Sequence, residues 1–131
     1  MYSKTVFDAQ RPIYVQLIER VKTRIVSGEY EPGGQIPSVR ELADTEGVNP
    51  NTMQKALAEL ERIGLLNSQR TVGRFITEDN ALIAKLRAEL AEGYIARFIG
   101  EMAALGVTPD EAVKLILDFV KENGGIENGD S

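Results

Sequence analysis

The chain has no cysteine, no histidine and no tryptophan among its 131 residues. The lack of cysteine excludes disulfides, thiol nucleophiles and cysteine-ligated zinc or iron–sulfur sites. The lack of histidine removes the general base and the metal ligand that proteins use most often. These absences argue against most enzyme mechanisms, and we expect no catalytic residue, no metal and no cofactor.

The sequence also lacks long hydrophobic runs. About 18 consecutive apolar residues are needed for a membrane-spanning helix, and no such run is present. Residues 1–10 do not contain the apolar stretch of a secretory signal. We therefore expect a cytoplasmic protein without a membrane partner.

The net negative charge of the chain comes entirely from its second part. Residues 1–78 are neutral, with ten basic and ten acidic side chains, whereas residues 79–131 hold five basic and ten acidic ones. A shift of this kind suggests two units with different roles, of which only the first can approach a polyanion. We expect a first domain at 1–78, a two-helix region at 79–125 and a flexible tail at 126–131.

Three helices are predicted in the first domain. The first begins near Pro12 and ends before Gly28, because apolar residues recur four apart between them. Ser38 and Glu41 form a capping box that opens a short second helix, and Asn49 caps a third. The apolar stripe of the first helix consists of Ile13, Leu17, Val21 and Ile25.

Two short strands are predicted after the third helix, at 65–68 and 74–77, with a turn at 69–73. A hairpin that directly follows a helix-turn-helix is the wing of a winged-helix domain. The extended segment 35–37 can supply a third, minimal strand. The predicted fold class is mainly α with a small β-wing, namely a winged helix-turn-helix followed by a two-helix dimerisation region.

The second part of the chain contains two amphipathic helices. Gly93 and Gly100 should interrupt the first of them, and each weakens it by about 1 kcal/mol relative to alanine. Thr108 and Glu111 form a second capping box that opens the last helix. Two helices of this size cannot close a core alone, so we expect them to pair the subunits of a homodimer. The expected pairing surface contains Leu82, Leu86, Leu90, Tyr94, Phe98, Met102, Val113, Ile116, Leu117 and Val120.

Several spaced motifs in residues 10–77 resemble GntR-type winged helix-turn-helix transcription factors. They are PIY at 12–14, PG at 32–33, IPSVRELA at 36–43 and GVNPNT at 47–52. The short two-helix remainder is similar to the YtrA-like branch of that family. The resemblance implies a repressor that binds double-stranded DNA at an inverted-repeat operator as a homodimer, with an unidentified small-molecule effector as a possible partner. One position departs from the family, since Thr71 stands where a wing-tip glycine usually follows arginine, although Gly73 is retained.

The same residues suit DNA recognition on physical grounds. A helix that enters the major groove needs short polar side chains near its N-terminus. Asparagine and glutamine can pair with adenine, and lysine favours guanine. Arg40 can reach a base or a phosphate beside that helix, and no acid lies between residues 65 and 77 to offset the wing arginines. The expected DNA-binding residues are Ser38, Arg40, Asn49, Asn51, Thr52, Gln54, Lys55, Arg70, Gly73 and Arg74.

Other interpretations of these residues exist. Asn49 can serve only as a helix cap, and Arg70 and Arg74 can be edge-strand charges that prevent strand pairing. The whole domain can be a protein-interaction module or a general architectural DNA-binding module. The acidic pair at 110–111 complements a helix dipole and is not the carboxylate pair of an enzyme. The polar recognition helix and the basic wing favour a sequence-specific regulator.

Overall fold

The first helix, α1, follows Pro12, whose fixed φ and missing N–H suit the start of a helix. A computed structural model, which describes residues 7–124, gives α1 the bounds Ile13–Val26. Leu17, Val21 and Ile25 are buried, so most of the predicted stripe is the core face of the helix. The tail predicted at 126–131 lies outside the described residues.

Both predicted caps of the helix-turn-helix are present. Helix α2 spans Val39–Glu46, and Ser38 Oγ accepts from the Glu41 N–H at 3.1 Å while Glu41 Oε1 accepts from the Ser38 N–H at 3.0 Å. Helix α3 spans Pro50–Arg62 and is capped by Asn49. Ala56, Leu57 and Leu60 of α3 have no exposed surface, and α1 and α2 both pack against this helix.

A buried ion cluster joins α1 to α2. Arg20 Nη1 donates to Glu46 Oε1 at 2.8 Å, and Arg24 Nη2 donates to Glu46 Oε2 at 3.0 Å. The Glu46 side chain is only 2% exposed. The ring of Phe7 lies 4.1 Å from the Arg20 guanidinium carbon. Glu46 therefore has a structural role that no local motif of the sequence indicates.

The wing is an antiparallel hairpin. Strand β1 is Leu66–Gln69 and strand β2 is Gly73–Ile76, with Leu66 opposite Ile76 and Gln69 opposite Gly73. Both strands lie one residue nearer the turn than predicted. The N–H of Leu65 donates to the Leu60 carbonyl at 3.0 Å and closes the end of α3, so β1 begins at Leu66. The predicted minimal third strand is a single bridge between Gln35 and Phe75.

The boundary between the two units lies later than expected. The chain divides after Arg87, not after Glu78. Ile83 and Leu86, in the first two turns of the next helix, are buried in the first unit, and Arg87 Nη2 donates to the Val26 carbonyl at 2.8 Å. Leu86, which we expected on the pairing surface, is therefore a core residue of the first unit.

Two helices follow the wing. Helix α4 spans Asn80–Ala104 without a break, so the expected interruption at Gly93 and Gly100 is wrong. Single glycines cost too little to end a helix of 25 residues. Helix α5 spans Pro109–Glu122 and has the predicted capping box. Within residues 7–124, no helix has the length and apolar character needed to cross a membrane.

Candidate nucleic-acid interface

The N-terminal half of α3 presents polar side chains on one face and anchors the helix with the other. Asn51 and Gln54 are exposed and Thr52 is half-buried, whereas Met53 and Leu57 are fully buried. The buried residues hold α3 rigidly against the core, so the polar residues are displayed from a fixed support. This is the arrangement that a recognition helix requires.

The two capping residues already use part of their hydrogen-bonding capacity. Asn49 Oδ1 accepts from the Asn51 N–H at 2.7 Å. Ser38 Oγ accepts from the Glu41 N–H, so the hydroxyl proton of Ser38 is the group it can still offer to a phosphate. Both residues have a structural role whether or not they contact DNA.

Lys55 is engaged within the first unit. Its Nζ lies 3.9 Å from the centre of the Tyr14 ring on α1, a cation–π contact that joins α1 to α3. The sequence placed Lys55 with the base-reading residues and gave no sign of this contact. To reach a base, the ammonium group would have to leave the aromatic face.

Among the expected DNA-binding residues, Arg40 and Arg70 are basic side chains that no acid within residues 7–124 neutralises. Both are exposed, and neither forms an ion pair with any residue in the range 7–124. Arg40 lies in the first turn of α2, and Arg70 begins the turn of the wing. A guanidinium on a rigid element can bind a phosphate or the O6 and N7 atoms of guanine with two hydrogen bonds.

Arg74 differs from Arg70 because an acid from α3 neutralises it. Arg74 Nε donates to Glu61 Oε1 at 3.1 Å, and the hydroxyl of Ser68 donates to Glu61 Oε2. The hydrogen bond from Ser68, followed by the contact with Arg74, lowers the pKa of the Glu61 carboxyl below its usual value. The expectation of an unopposed pair of charges on the wing is therefore wrong for Arg74, because Glu61 is distant in sequence and adjacent in space.

The turn of the wing, residues 70–72, keeps a left-handed residue although the glycine is missing. Thr71 has φ +63°, a conformation that a β-branched residue adopts only at a cost. Gly73 has φ +139°, and a Cβ atom at this position would lie 2.6 Å from Gln35 Nε2. Glycine is favoured at position 73 by this positive φ, and any side chain there would also have to displace the amide of Gln35.

Three residues near this surface have roles that the sequence did not predict, namely Tyr14, Gln35 and Glu61. Each acts through a partner that is remote along the chain, so no local motif marks it. Among residues 7–124, no three carboxylates come together to hold a metal ion. The arrangement offers amide, hydroxyl and guanidinium groups, which suits binding of a nucleic acid.

Comparison with known proteins supports this interpretation. Residues 13–76 match the profile described as bacterial regulatory proteins, gntR family. The uncharacterized HTH-type transcriptional regulator YhcF of Bacillus subtilis is 36% identical over 88% of this chain and 95% of its own length. The HTH-type transcriptional repressor YtrA of the same organism is 46% identical over 52% of each chain.

Solved structures of DNA-binding regulators also resemble this chain. A GntR family transcriptional regulator from Listeria monocytogenes has a TM-score of 0.78 and 38% identity, covering 86% of this chain and 98% of that one. The AraR DNA-binding domain in complex with operator ORX1 has a TM-score of 0.51 and 30% identity, covering 59% of this chain and 93% of that one.

Proposed function

We propose that this chain, which belongs to the GntR family and is a DNA-binding transcriptional regulator, is a homodimeric repressor of an inverted-repeat operator. The matches to the family profile and to YhcF confirm the resemblance read from the sequence motifs. Repression, dimerisation and operator symmetry are the proposal. A protein that acts on bacterial DNA works in the cytoplasm, where we place this chain.

The observation that carries the dimer is the exposed apolar surface of the second unit. In residues 88–124 only Ala112 is buried, whereas Val113, Ile116, Leu117 and Val120 of α5 are 42–64% exposed. Exposed apolar surface of this extent marks a site of association.

The same unit contains an apolar depression beside these residues. Phe98, Met102, Ile116 and Phe119 line a cavity of about 610 Å³ between α4 and α5. Covering this depression and the exposed side chains of α5 would give the second unit the core that it lacks alone. A second copy of the chain offers the same apolar surface, which an isologous dimer can bury against itself.

The DNA-binding roles follow from the first unit. Asn51, Thr52 and Gln54 at the start of α3 are the proposed base-reading residues. Arg40 binds a base or phosphate beside them, and Arg70 binds the backbone through the wing. Neutral overall charge in residues 1–78 gives little general attraction to DNA, so specific contacts and a second half-site must supply the affinity.

Repression rests on similarity and on geometry. YtrA is named a transcriptional repressor, and it is 46% identical to this chain over 52% of its length. A dimer that covers two half-sites about 34–36 Å apart would exclude polymerase from a promoter it overlaps. An effector that changes the spacing of the two DNA-binding units would release it.

Selection of bound sequences from a random duplex pool tests the proposal. We expect enrichment of a dyad-symmetric sequence, together with a dimer in sedimentation equilibrium. Binding that depends on salt but not on sequence would instead identify a general architectural protein. Enrichment of a single, asymmetric half-site by a monomer would overturn the dimeric arrangement.

A further inference from the structure

The side chain of Gln35 joins the wing to the segment that precedes α2. Gln35 Nε2 donates to the carbonyl of Val72 at 2.8 Å, inside the turn of the wing. The backbone on either side of Gln35 is paired with β2, since the N–H of Ile36 donates to the Arg74 carbonyl at 3.0 Å and the N–H of Ile76 donates to the Gly34 carbonyl at 2.8 Å. The glutamine is therefore presented to the turn from a fixed backbone.

The turn needs such support because it contains Thr71 with positive φ. A non-glycine residue in this region costs of order 1–3 kcal/mol and persists only when its surroundings impose it. Within the turn, the N–H of Val72 donates to the Gln69 carbonyl at 3.0 Å, and the Thr71 hydroxyl bonds to the Arg70 carbonyl. Among residues 7–124, the hydrogen bond from Gln35 is the one that ties the turn to the rest of the first unit.

The tight contact with Gly73 completes the arrangement. The amide of Gln35 occupies the space where a side chain of residue 73 would begin, so the glutamine both bonds to Val72 and packs against the strand. The turn is thus supported by Gln35 from outside the hairpin as well as by its own hydrogen bonds. Arg70 and the exposed Val72 are thereby displayed in a fixed geometry.

We propose that Gln35 is a positioning residue for DNA binding, which holds the strained turn of the wing in the conformation that contacts DNA. The inference rests on the proposed function of the wing and assigns Gln35 no contact with DNA. Gln35 stabilises the positive φ of Thr71. A glycine at position 71 would adopt this φ without strain and would not need that support. Gln35 and Thr71 should therefore be coupled in their effect on affinity.

The test is a double-mutant cycle of Gln35→Leu and Thr71→Gly, measured on the operator obtained by selection. Leucine has a similar volume and cannot donate a hydrogen bond. We expect Gln35→Leu alone to weaken binding about 3- to 10-fold, as loss of one hydrogen bond would. In the Thr71→Gly background the same change should have less than a twofold effect, because glycine accepts positive φ without strain.

Two further measurements separate positioning from general stability. Amide exchange at Val72 should become faster in Gln35→Leu by about the factor lost in affinity, while the denaturation midpoint of the full chain stays unchanged. Gln10→Leu removes an exposed glutamine remote from the wing and serves as the matched control. We expect its affinity and its exchange at Val72 to equal those of the parent.

The outcomes distinguish this inference from the proposed function. If the parent chain binds no duplex specifically, the proposed function fails, whatever Gln35 does. If the parent binds and Gln35→Leu stays within twofold of it, Gln35 is not a positioning residue. Equal losses with threonine and with glycine at position 71 would also overturn the inference, because they would show that Gln35 acts independently of the turn.

Discussion

Arg74 in the second strand of the wing is hydrogen-bonded to Glu61 in the last turn of α3, with 3.1 Å between Nε and Oε1. The other oxygen of the same carboxylate accepts from Ser68 on the first strand. One side chain thus fixes both strands of the wing to the helix proposed to read DNA. This acid from outside the hairpin therefore acts together with the backbone bonds between residues 34–36 and β2 to orient the wing.

Replacing Glu61 by glutamine should remove a stabilising interaction that depends on pH. The pKa of Glu61 is lowered in the folded state, so its contribution is complete above the unfolded-state value of about 4.3 and is lost as the pH falls through the lowered folded value. We expect Glu61→Gln to reduce the free energy of unfolding at pH 7 by about 0.5–1 kcal/mol, in the range of partly exposed pairs. Urea denaturation of both proteins between pH 7 and pH 2 should show the difference vanishing at the acid end.

Glu59→Gln is the matched control for this experiment. Glu59 pairs with Arg62 on the exposed surface of α3, and within residues 7–124 it has no hydrogen bond or ion pair with the wing. Operator affinity should fall with Glu61→Gln and stay within twofold with Glu59→Gln. Equal effects on affinity would contradict a role for Glu61 in orienting the wing.

Removing the carboxylate of the buried cluster should be far more damaging. Glu46→Ala leaves the guanidinium groups of Arg20 and Arg24 in a largely buried place without their shared anion. Loss of one partner from a buried pair typically costs 3–5 kcal/mol. Thermal or urea unfolding measures this directly, and Glu31→Ala, at an exposed acid of the same unit, should change stability little. A loss below about 1 kcal/mol would show that water or another acid takes the place of Glu46.

Arg40→Ala should weaken binding to the selected operator by about 1–3 kcal/mol and leave folding almost unchanged. The residue is exposed on α2, and loss of a good base or phosphate contact has this magnitude. Titration of a labelled duplex, with unfolding measured in parallel, provides both numbers. Arg97→Ala removes an equal charge from the second unit and should not change affinity. Affinity of Arg40→Ala within twofold of the parent would exclude Arg40 from the interface.

Removing each charge on the wing in turn should show that Arg70 and Arg74 contribute differently to DNA affinity. Arg70→Ala should lower affinity for all duplexes alike and reduce the dependence of log K on log salt by about one phosphate contact. Arg74→Ala should reduce the slope less, because Glu61 already neutralises this guanidinium. Measuring affinity between 50 and 200 mM salt, roughly the range over which such slopes are resolved, decides the point. A change in sequence preference at constant slope would mean that the wing reads bases.

Truncation should separate DNA reading from dimerisation, provided that the cut respects the observed boundary. A fragment of residues 1–87 keeps Ile83 and Leu86 in the core and should fold as a monomer. It should lose at least about a hundredfold in affinity for a palindrome, the lower end of avidity gains, and bind a half-site as the full chain does. Sedimentation with titration onto full and half operators is the measurement. A dimeric 1–87 fragment would refute the assignment of the second unit.

A shorter fragment of residues 1–78 is the control for the boundary. It lacks both buried side chains, each of which contributes about 1.5–3 kcal/mol when fully buried. We expect it to unfold at lower urea concentration than 1–87. Equal stability of the two fragments would mean that the start of α4 contributes nothing to the first unit.

The sequence alone determined the features that depend on neighbours along the chain. The capping boxes at Ser38 and Thr108, the cap at Asn49 and the stripe of α1 involve residues at most a few positions apart, so their spacing contains the information. The family motifs in residues 10–77 belong to the same class of signal, which is why both the fold and the regulatory function could be predicted.

Only the tertiary structure decided which distant groups meet. Glu61 neutralises Arg74, Tyr14 engages Lys55, Gln35 supports the wing, and Glu46 lies between Arg20 and Arg24. The same is true of Leu86, whose place on an apolar stripe fitted a dimer surface until the core of the first unit proved to contain it. Hydrophobic spacing gives the face of a helix but not the surface it packs against, and charge counting gives the net charge of a segment but not the partner of each charge.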